Sequence, residues 1–479
     1  MSVSGLPLDT PTAEVIQRLV EVVGPAHALT DPAMQRPYLV EWRDRYVGKS
    51  PLVLRPGATD EVSRILAIAN AARVGVVPQS GNTGLVGGQI PYETGAEIVV
   101  SLGRLKAVRD IDAAAQSMTV EAGVTLGEVR ARADAVGRMF PLSLASEGSC
   151  QIGGNLATNA GGVGVLAYGT ARDQVLGLEV VLADGRVWNG LRTLKKDNTG
   201  YDLRHLFIGS EGTLGIITAA VLKLYPRPAE VVTAMLAVES LRGTRDVFRR
   251  VQARFGSALT AFEFIPAIAM DFVTRHVAGT RRPFAALHPW YVLIDVSAPA
   301  PDGRVTAQLE ETLSGAMGDS LVIDAVIARS GQQARELWRL REEISDAQKF
   351  EGGSIKHDIS VPVPLIAEFV ARADAIVERL VPGARPVPFG HFGDGNVHYN
   401  VSQPPGSDKA TFLAMWETVS HEIHGLVGEL GGSISAEHGI GRMKRAELRR
   451  FKSEVELDMM RGIKRTLDPN GILNPGKVL

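Results

Sequence analysis

Three glycine-dense stretches within the first 215 residues constrain this chain more than any other feature. The first spans residues 78–91. Its first eleven residues hold four glycines and the short polar side chains Ser80, Asn82 and Thr83, directly after the largely apolar run 74–77. Glycine loses the most conformational freedom on ordering, so this composition does not suit a packed helix or a central strand. It suits a backbone that turns sharply or comes very close to a ligand, with exposed amides forming an anion-binding concavity. For one such stretch alone, an ordinary surface loop is an equal alternative.

The second stretch covers 149–164 and the third 209–215. Together the three can wrap a long, flat, anionic ligand of the dinucleotide kind. Gly162-Val-Gly-Val-Leu-Ala167 meets the loose G-x-G-x-x-A pattern. No strand runs into it and no helix clearly follows, so it is not read as a Rossmann fingerprint. A G-x-x-x-x-G-K-[ST] phosphate loop is absent from the sequence.

At 479 residues the chain is too long for one core and calls for two or three domains. Its 45% hydrophobic and 22% charged content is that of a soluble globular protein. A net charge of -2 provides no basic face for nucleic acid. The single cysteine, Cys150, leaves nothing for an internal disulfide or a cysteine-ligated cluster, and fits a reducing compartment. The first twenty residues lack a basic region followed by an apolar run. No apolar run approaches the ~20 residues of a membrane helix. A cytoplasmic location is the resulting expectation.

Periodicity places a helix in 11–32, a short strand at 51–56, and a helix capped by Thr59 with Val62, Ile65, Leu66 and Ala69 on one face. Strands follow at 74–77 and 98–102, and Thr125 opens a helix that ends near Val136. A hairpin turns about Asp184-Gly185, and the third glycine stretch opens a strand over 216–225. Pro226 and Pro228 mark a boundary. Beyond it glycine thins out, and strands at 231–238, 259–264 and 290–296 alternate with helical stretches, which reads as α+β. The last part holds a strand pair around 390–401, helices near 410–427 and 455–467, and a turn-rich tail at 470–476. The expected segments are 1–227, 228–430 and 431–479.

Chemistry-bearing side chains gather in the second half. His391 and His398 flank a Gly-Asp-Gly turn, so a hairpin would bring both imidazoles onto neighbouring strands. His398 and Asn400 then share one strand face, with Val397, Tyr399 and Val401 on the other. Glu437 stands beside His438 between glycines. Two histidines and one carboxylate make an open site suited to Zn²⁺ or another divalent ion. Hydrogen-bonded core histidines are the alternative. Arg341 and Ser345, four apart, share a helix face, and with Lys356 could clamp a carboxylate. A solvated helix face paired with Glu342 and Glu343 is the alternative there.

The glycine stretches resemble the FAD-binding loops of the vanillyl-alcohol-oxidase type, a family of FAD-linked oxidases. Trp338-Arg-Leu-Arg-Glu-Glu-Ile-Ser345, Lys356-His-Asp-Ile-Ser-Val-Pro362, residues 391–400, Ala436-Glu-His-Gly439 and Leu473-Asn-Pro-Gly-Lys477 resemble its FAD-linked, metal-dependent D-2-hydroxyacid dehydrogenases. The resemblance is closest to the D-2-hydroxyglutarate dehydrogenase branch and runs over roughly residues 25–479. It implies an α+β fold: a split FAD-binding domain, an α+β substrate (cap) domain, and a helical C-terminal segment returning to the flavin.

It further implies that FAD meets Pro78, Ser80, Gly81, Asn82, Thr83, Gly84 and Gly87 in the first stretch. In and after the second it implies Gly148, Ile152, Gly153, Gly154, Asn155, Thr158, Asn159, Gly161, Gly164, Tyr168 and Gly169. Glu211, Gly212 and Ile216 follow in the third, and Asn474 in the tail. The first stretch carries neither His nor Cys, so the FAD is read as non-covalent and Cys150 as a buried structural residue. His391, His398 and Glu437 match the metal ligands, with Zn²⁺ the expected ion. Arg341, Ser345, Lys356 and Asn400 match substrate-binding residues, Ser345 standing where relatives can carry Thr. By the same resemblance His438 matches both a substrate-binding residue and the proton acceptor.

The implied reaction oxidises D-2-hydroxyglutarate to 2-oxoglutarate by hydride transfer to flavin N5. Electrons then leave for an electron-transfer flavoprotein or a quinone-linked partner, and a homodimer is left open. D-lactate, glycolate or D-malate as substrate, a non-catalytic flavoprotein subunit of an oxidase complex, and a metal-binding protein without flavin are the competing readings.

Overall fold

The computed structural model describes residues 8–479, so the first seven residues of the expected 1–227 segment lie outside the described part. The chain forms two units. One comprises the described residues up to Gly162, then Gly169–Arg227 and Glu437–Leu479; the other comprises Val163–Tyr168 and Pro228–Ala436.

In the first unit, strands Val53–Leu54, Glu97–Ser101 and Gly75–Gln79 pair in parallel, with Ala28–Leu29 antiparallel at the edge. Helix Thr59–Ala71 buries Val62, Ile65, Leu66 and Ala69, the face that the apolar spacing predicts. Thr59 is not its cap. The cap position is Ala58, and the Thr59 hydroxyl donates instead to Glu179 Oε1 at 2.7 Å. A second, antiparallel sheet runs Val108–Asp112, Ser117–Glu121, Ile216–Lys223, Val175–Val181, Val187–Gly190. The C-terminal tail returns to the first sheet. The amide of Val76 donates to Ile472 O and that of Asn474 to Val76 O, both at 2.8 Å, while Ile472 and Leu473 are wholly buried.

The second unit is built on a seven-stranded antiparallel sheet. Its order is Asp324–Ile327, Glu230–Val238, Trp290–Ala298, Leu259–Pro266, Arg385–His391, Asn396–Ser402, Ser354–Ser360. Alternation puts Met235, Leu293, Val387 and Phe389 on one face, packed with Met270, Val273, Leu337 and Leu340 from helices Ala267–His276 and Gly331–Glu342. Each such fully buried side chain contributes roughly 1.5–3 kcal/mol. The Gly331–Glu342 helix stops at Glu342, and Ser345 lies on the separate short helix Ile344–Ala347. The expected helix at 410–427 is likewise broken, into Lys409–Ala414 and Trp416–Glu429. Among the described residues no helix is long and apolar enough to cross a membrane.

Candidate functional site

In the first unit the three glycine stretches converge, and close backbone approach explains their composition. A Cβ on Gly81 would collide with the carbonyl oxygen of Ser149, joining the first stretch to the second. The second stretch is not all loop, because Ile152–Ala157 forms a helix. Its glycines face the neighbouring chain: a Cβ on Gly153 would lie 2.7 Å from Ala122 Cβ, and one on Gly154 3.1 Å from Ser80 Cβ. Val165–Tyr168 forms a four-residue helix that overlaps the end of the G-x-G-x-x-A match, within the segment that clusters with the second unit and carries Gly164 and Tyr168. Gly87 has a φ of +69° and sits against the Tyr46 ring, where a side chain would be both strained and blocked.

Amide side chains hold the first stretch in shape. Asn82, itself at a φ of +53°, donates to Pro37 O and Val40 O, and Gln89 donates to Asn82 Oδ1 and Gly84 O. Thr83 lies between them, half-buried. Asn155, Thr158 and Asn159 use their side chains on the chain itself: Asn155 donates to Cys150 Sγ, Thr158 to Gly154 O, and Asn159 Oδ1 accepts from Arg172 N. Cys150 is buried, and that burial raises its thiol pKa.

Glu211, expected to touch FAD, directs its carboxylate elsewhere. It accepts from the amides of Ile440 and Gly441 at 2.7 and 2.8 Å, pinning the C-terminal segment. Burial lifts its pKa to about 7 against those two hydrogen bonds. Gly439, at a φ of +80°, is needed there, since a Cβ would lie 2.7 Å from Glu211 Oε1. The Glu437 carboxylate accepts from the amide of Gly162, and His438 beside it is half-buried. Asn474 donates to Gly88 O and Glu211 O. Gly212 has a φ of +71°, and Ile216 opens its strand buried. The buried acceptors Gln151 Oε1 and Asn474 Oδ1 have no hydrogen-bond partner among the described residues. Hydroxyl and amino donors of a bound FAD fit such orphan oxygens, since buried polar groups are otherwise satisfied.

The second unit carries a row of polar groups on one sheet face. The hairpin pairs Arg385–His391 with Asn396–Ser402, as the spacing predicts, and the two imidazole centroids stand 5.4 Å apart. Register sets Lys356 opposite Asn400, Asp358 opposite His398, and Glu263 opposite His391. His391, Asn400 and Asp358 are buried; Lys356 and His398 are half-buried. Asn400 donates to Gln348 Oε1 at 2.7 Å. Arg341 is buried, with its guanidinium 4.8 Å from the Phe389 ring centroid, whereas Ser345 is exposed.

Both histidines have a carboxylate at Nδ1: Glu263 Oε1 at 2.7 Å from His391, and Asp358 Oδ1 at 3.7 Å from His398. A carboxylate on the Nδ1 side is the arrangement in which a histidine would offer Nε2 to a metal ion, so the donor set fits a borderline divalent ion. Glu263 also accepts from Arg341 Nε at 2.8 Å. Burial alone would raise its pKa, but His391 and Arg341 outweigh it and hold the carboxyl below its ordinary value. Glu263, Asp358 and Gln348 escaped the reading of the chain. One signal was available for Glu263: a lone charge within the apolar, aromatic strand Leu-Thr-Ala-Phe-Glu-Phe-Ile-Pro.

The chain matches the FAD linked oxidases C-terminal domain over residues 227–478 and an FAD binding domain over 50–190. It is 39% identical to "D-2-hydroxyglutarate dehydrogenase, mitochondrial" of Arabidopsis thaliana, covering 96% of this chain and 80% of that protein. It is 39% identical to the D-2-hydroxyglutarate dehydrogenase of Xanthomonas citri pv. viticola, covering 97% and 96%. Among solved structures, 4-ethylphenol oxidase from Gulosibacter chungangensis superposes with a TM-score of 0.75 at 20% identity, covering 99% of this chain and 98% of that one. That likeness shows a vanillyl-alcohol-oxidase type fold.

The expected cytoplasmic location does not stand, because the Arabidopsis relative is named as a mitochondrial protein. One reduced cysteine suits any reducing compartment. The pattern sought near the first residue concerned secretion only. The two matched domains and the identity across nearly the whole length place this chain in the FAD-linked oxidase family, as an FAD-dependent dehydrogenase that groups with the D-2-hydroxyglutarate dehydrogenases.

Proposed function

We propose that this enzyme oxidises D-2-hydroxyglutarate to 2-oxoglutarate, using non-covalent FAD and a divalent metal ion, Zn²⁺ by ligand type. The observation that carries the reading is the polar row of the second unit. Two cationic side chains, Arg341 and Lys356, accompany two imidazoles whose Nδ1 sides face carboxylates. A substrate with a second carboxylate needs such a cationic partner, and a monocarboxylate does not need both.

Bound FAD would supply the hydride acceptor for C2 of the substrate, and a divalent ion would supply Lewis-acid polarisation of the C2 hydroxyl. His391, His398 and Glu437 would hold that ion. Glu437 follows Ala436, whose amide donates to Asp358 O at 3.4 Å. His438 takes the hydroxyl proton as general base. Arg341 and Lys356 grip the far carboxylate, Asn400 and Ser345 add hydrogen bonds, and the fixed pose decides which face of C2 reacts. The 1–227 and 431–479 segments are assigned to FAD and 228–430 to substrate. An electron-transfer flavoprotein or a quinone-linked partner then takes the electrons.

The test is a panel of D- and L-2-hydroxy acids with a dye acceptor, scored by kcat/KM. D-2-hydroxyglutarate is expected to lead. A clear preference for D-lactate or glycolate would refute the dicarboxylate assignment.

A further inference from the structure

Glu263 lies in the middle of strand Leu259–Pro266, only 1% exposed, among Phe262, Phe264 and Ile265. A carboxylate costs several kcal/mol to bury there unless it is paired and hydrogen-bonded. It is paired twice, to residues distant in sequence: Oε2 with Arg341 Nε at 2.8 Å, Oε1 with His391 Nδ1 at 2.7 Å. Arginine only donates, so Glu263 must accept on that side. The same carboxylate accepting at Oε1 requires the proton on His391 Nδ1, which leaves Nε2 as the coordinating atom. On the other side, binding through Nε occupies one guanidinium hydrogen and leaves the four on the terminal nitrogens as donors. Stacking of the guanidinium over Phe389 restricts its plane further.

We propose that Glu263 is a positioning residue that couples the metal site to the carboxylate clamp, setting the His391 tautomer and the Arg341 fork with one carboxylate. This rests on the reading of His391 as a metal ligand and Arg341 as a substrate clamp. A single rigid anchor would keep the metal-bound end and the far carboxylate of the substrate at a fixed separation. Enzymes in which the two groups were anchored independently would lack that coupling. The alternative is that Glu263 only neutralises the buried charge of Arg341.

The test uses flavin-loaded enzyme stripped of metal, with Co²⁺ titrated by its absorbance and KM measured for D-2-hydroxyglutarate. Glu263→Gln keeps size but cannot accept from both partners with both side-chain atoms. It is expected to bind Co²⁺ about 10- to 100-fold more weakly, in the range seen when outer-shell partners of metal ligands are lost, and to raise KM as well. Glu263→Asp keeps the charge but shortens the reach, and is expected to fall between Glu263→Gln and wild type on both readouts. It carries the same test if Glu263→Gln does not fold. Glu263→Gln with retained flavin, a lowered Tm, and unchanged Co²⁺ affinity and KM would overturn the proposal in favour of simple charge neutralisation. His391→Ala is run alongside. If it binds Co²⁺ as wild type does, the metal-site reading itself fails; if it loses Co²⁺ while Glu263→Gln does not, only the positioning role fails.

Discussion

Asp295 shows how a single side chain couples this fold to pH. It accepts from Thr233 Oγ1 at 2.5 Å and Trp338 Nε1 at 3.0 Å, yet burial lifts its pKa from 3.8 to about 6. Between those values the folded chain keeps a proton that the unfolded chain has shed, so stability falls as pH rises through about 4 to 6 and then levels. The limit is about 3 kcal/mol at neutral pH. Asp295→Asn is expected to melt higher than wild type at pH 7, with the gap closing by pH 4; thermal melts across that range check it.

The proposed function makes two further side chains testable. His438→Ala is expected to lower kcat about 10²- to 10⁴-fold, the range for a lost general base, while the flavin spectrum is retained. Near-normal turnover would remove His438 from that role. On the proposed grip of Lys356 on the far carboxylate, Lys356→Ala is expected to cut kcat/KM for D-2-hydroxyglutarate about 10- to 100-fold. D-lactate should change little, and equal losses on both acids would place Lys356 outside the far-carboxylate contact.

Among the elements, the short helix Ile152–Ala157 is the most exacting. Gly153 lets it lie against Ala122, with Ser80 close by. Gly153→Ala places a methyl 2.7 Å from Ala122 Cβ, which the helix relieves only by moving away from Ala122. Overpacking of this kind costs about 1–3 kcal/mol, and the displaced helix carries Asn155 and leads into Thr158. The variant is expected to melt several degrees lower and to hold less flavin per chain, read from the ratio of flavin to protein absorbance.

The hairpin Arg385–His391 and Asn396–Ser402 was legible because Gly-Asp-Gly between two alternating runs has few other solutions. The glycine stretches were legible as places of close backbone approach, because few other uses repay so much glycine. The helix within 149–164 was not, because its glycines serve close packing that only the neighbours reveal. Nor was the role of Thr59, whose hydroxyl finds Glu179 far along the chain instead of its own helix amides.

For the enzyme in full, cofactor and metal are expected to be separable. Acid precipitation should release the flavin into the supernatant, as it must if neither His nor Cys holds it covalently. Flavin left on the pellet would rule that out. Dialysis against a chelator should abolish turnover while the flavin stays, and a divalent ion should restore it. Turnover unaffected by chelator, with elemental analysis finding no metal, would remove the ion from the site.

Chain order and composition alone pointed to a soluble, multi-domain protein with three ligand-hugging glycine stretches. They also pointed to a histidine hairpin and to cationic residues suited to a carboxylate, because each is a local pattern written within a few consecutive residues. The pairing of Glu263 with both Arg341 and His391 was decided only by the tertiary structure. So were the clamp of Glu211 on Ile440 and Gly441, and the return of Ile472–Asn474 to the strand at Val76. Those contacts join residues from 78 to 398 positions apart. A buried carboxylate looks the same in a sequence whatever it faces, and its partners are chosen by strand register and helix packing.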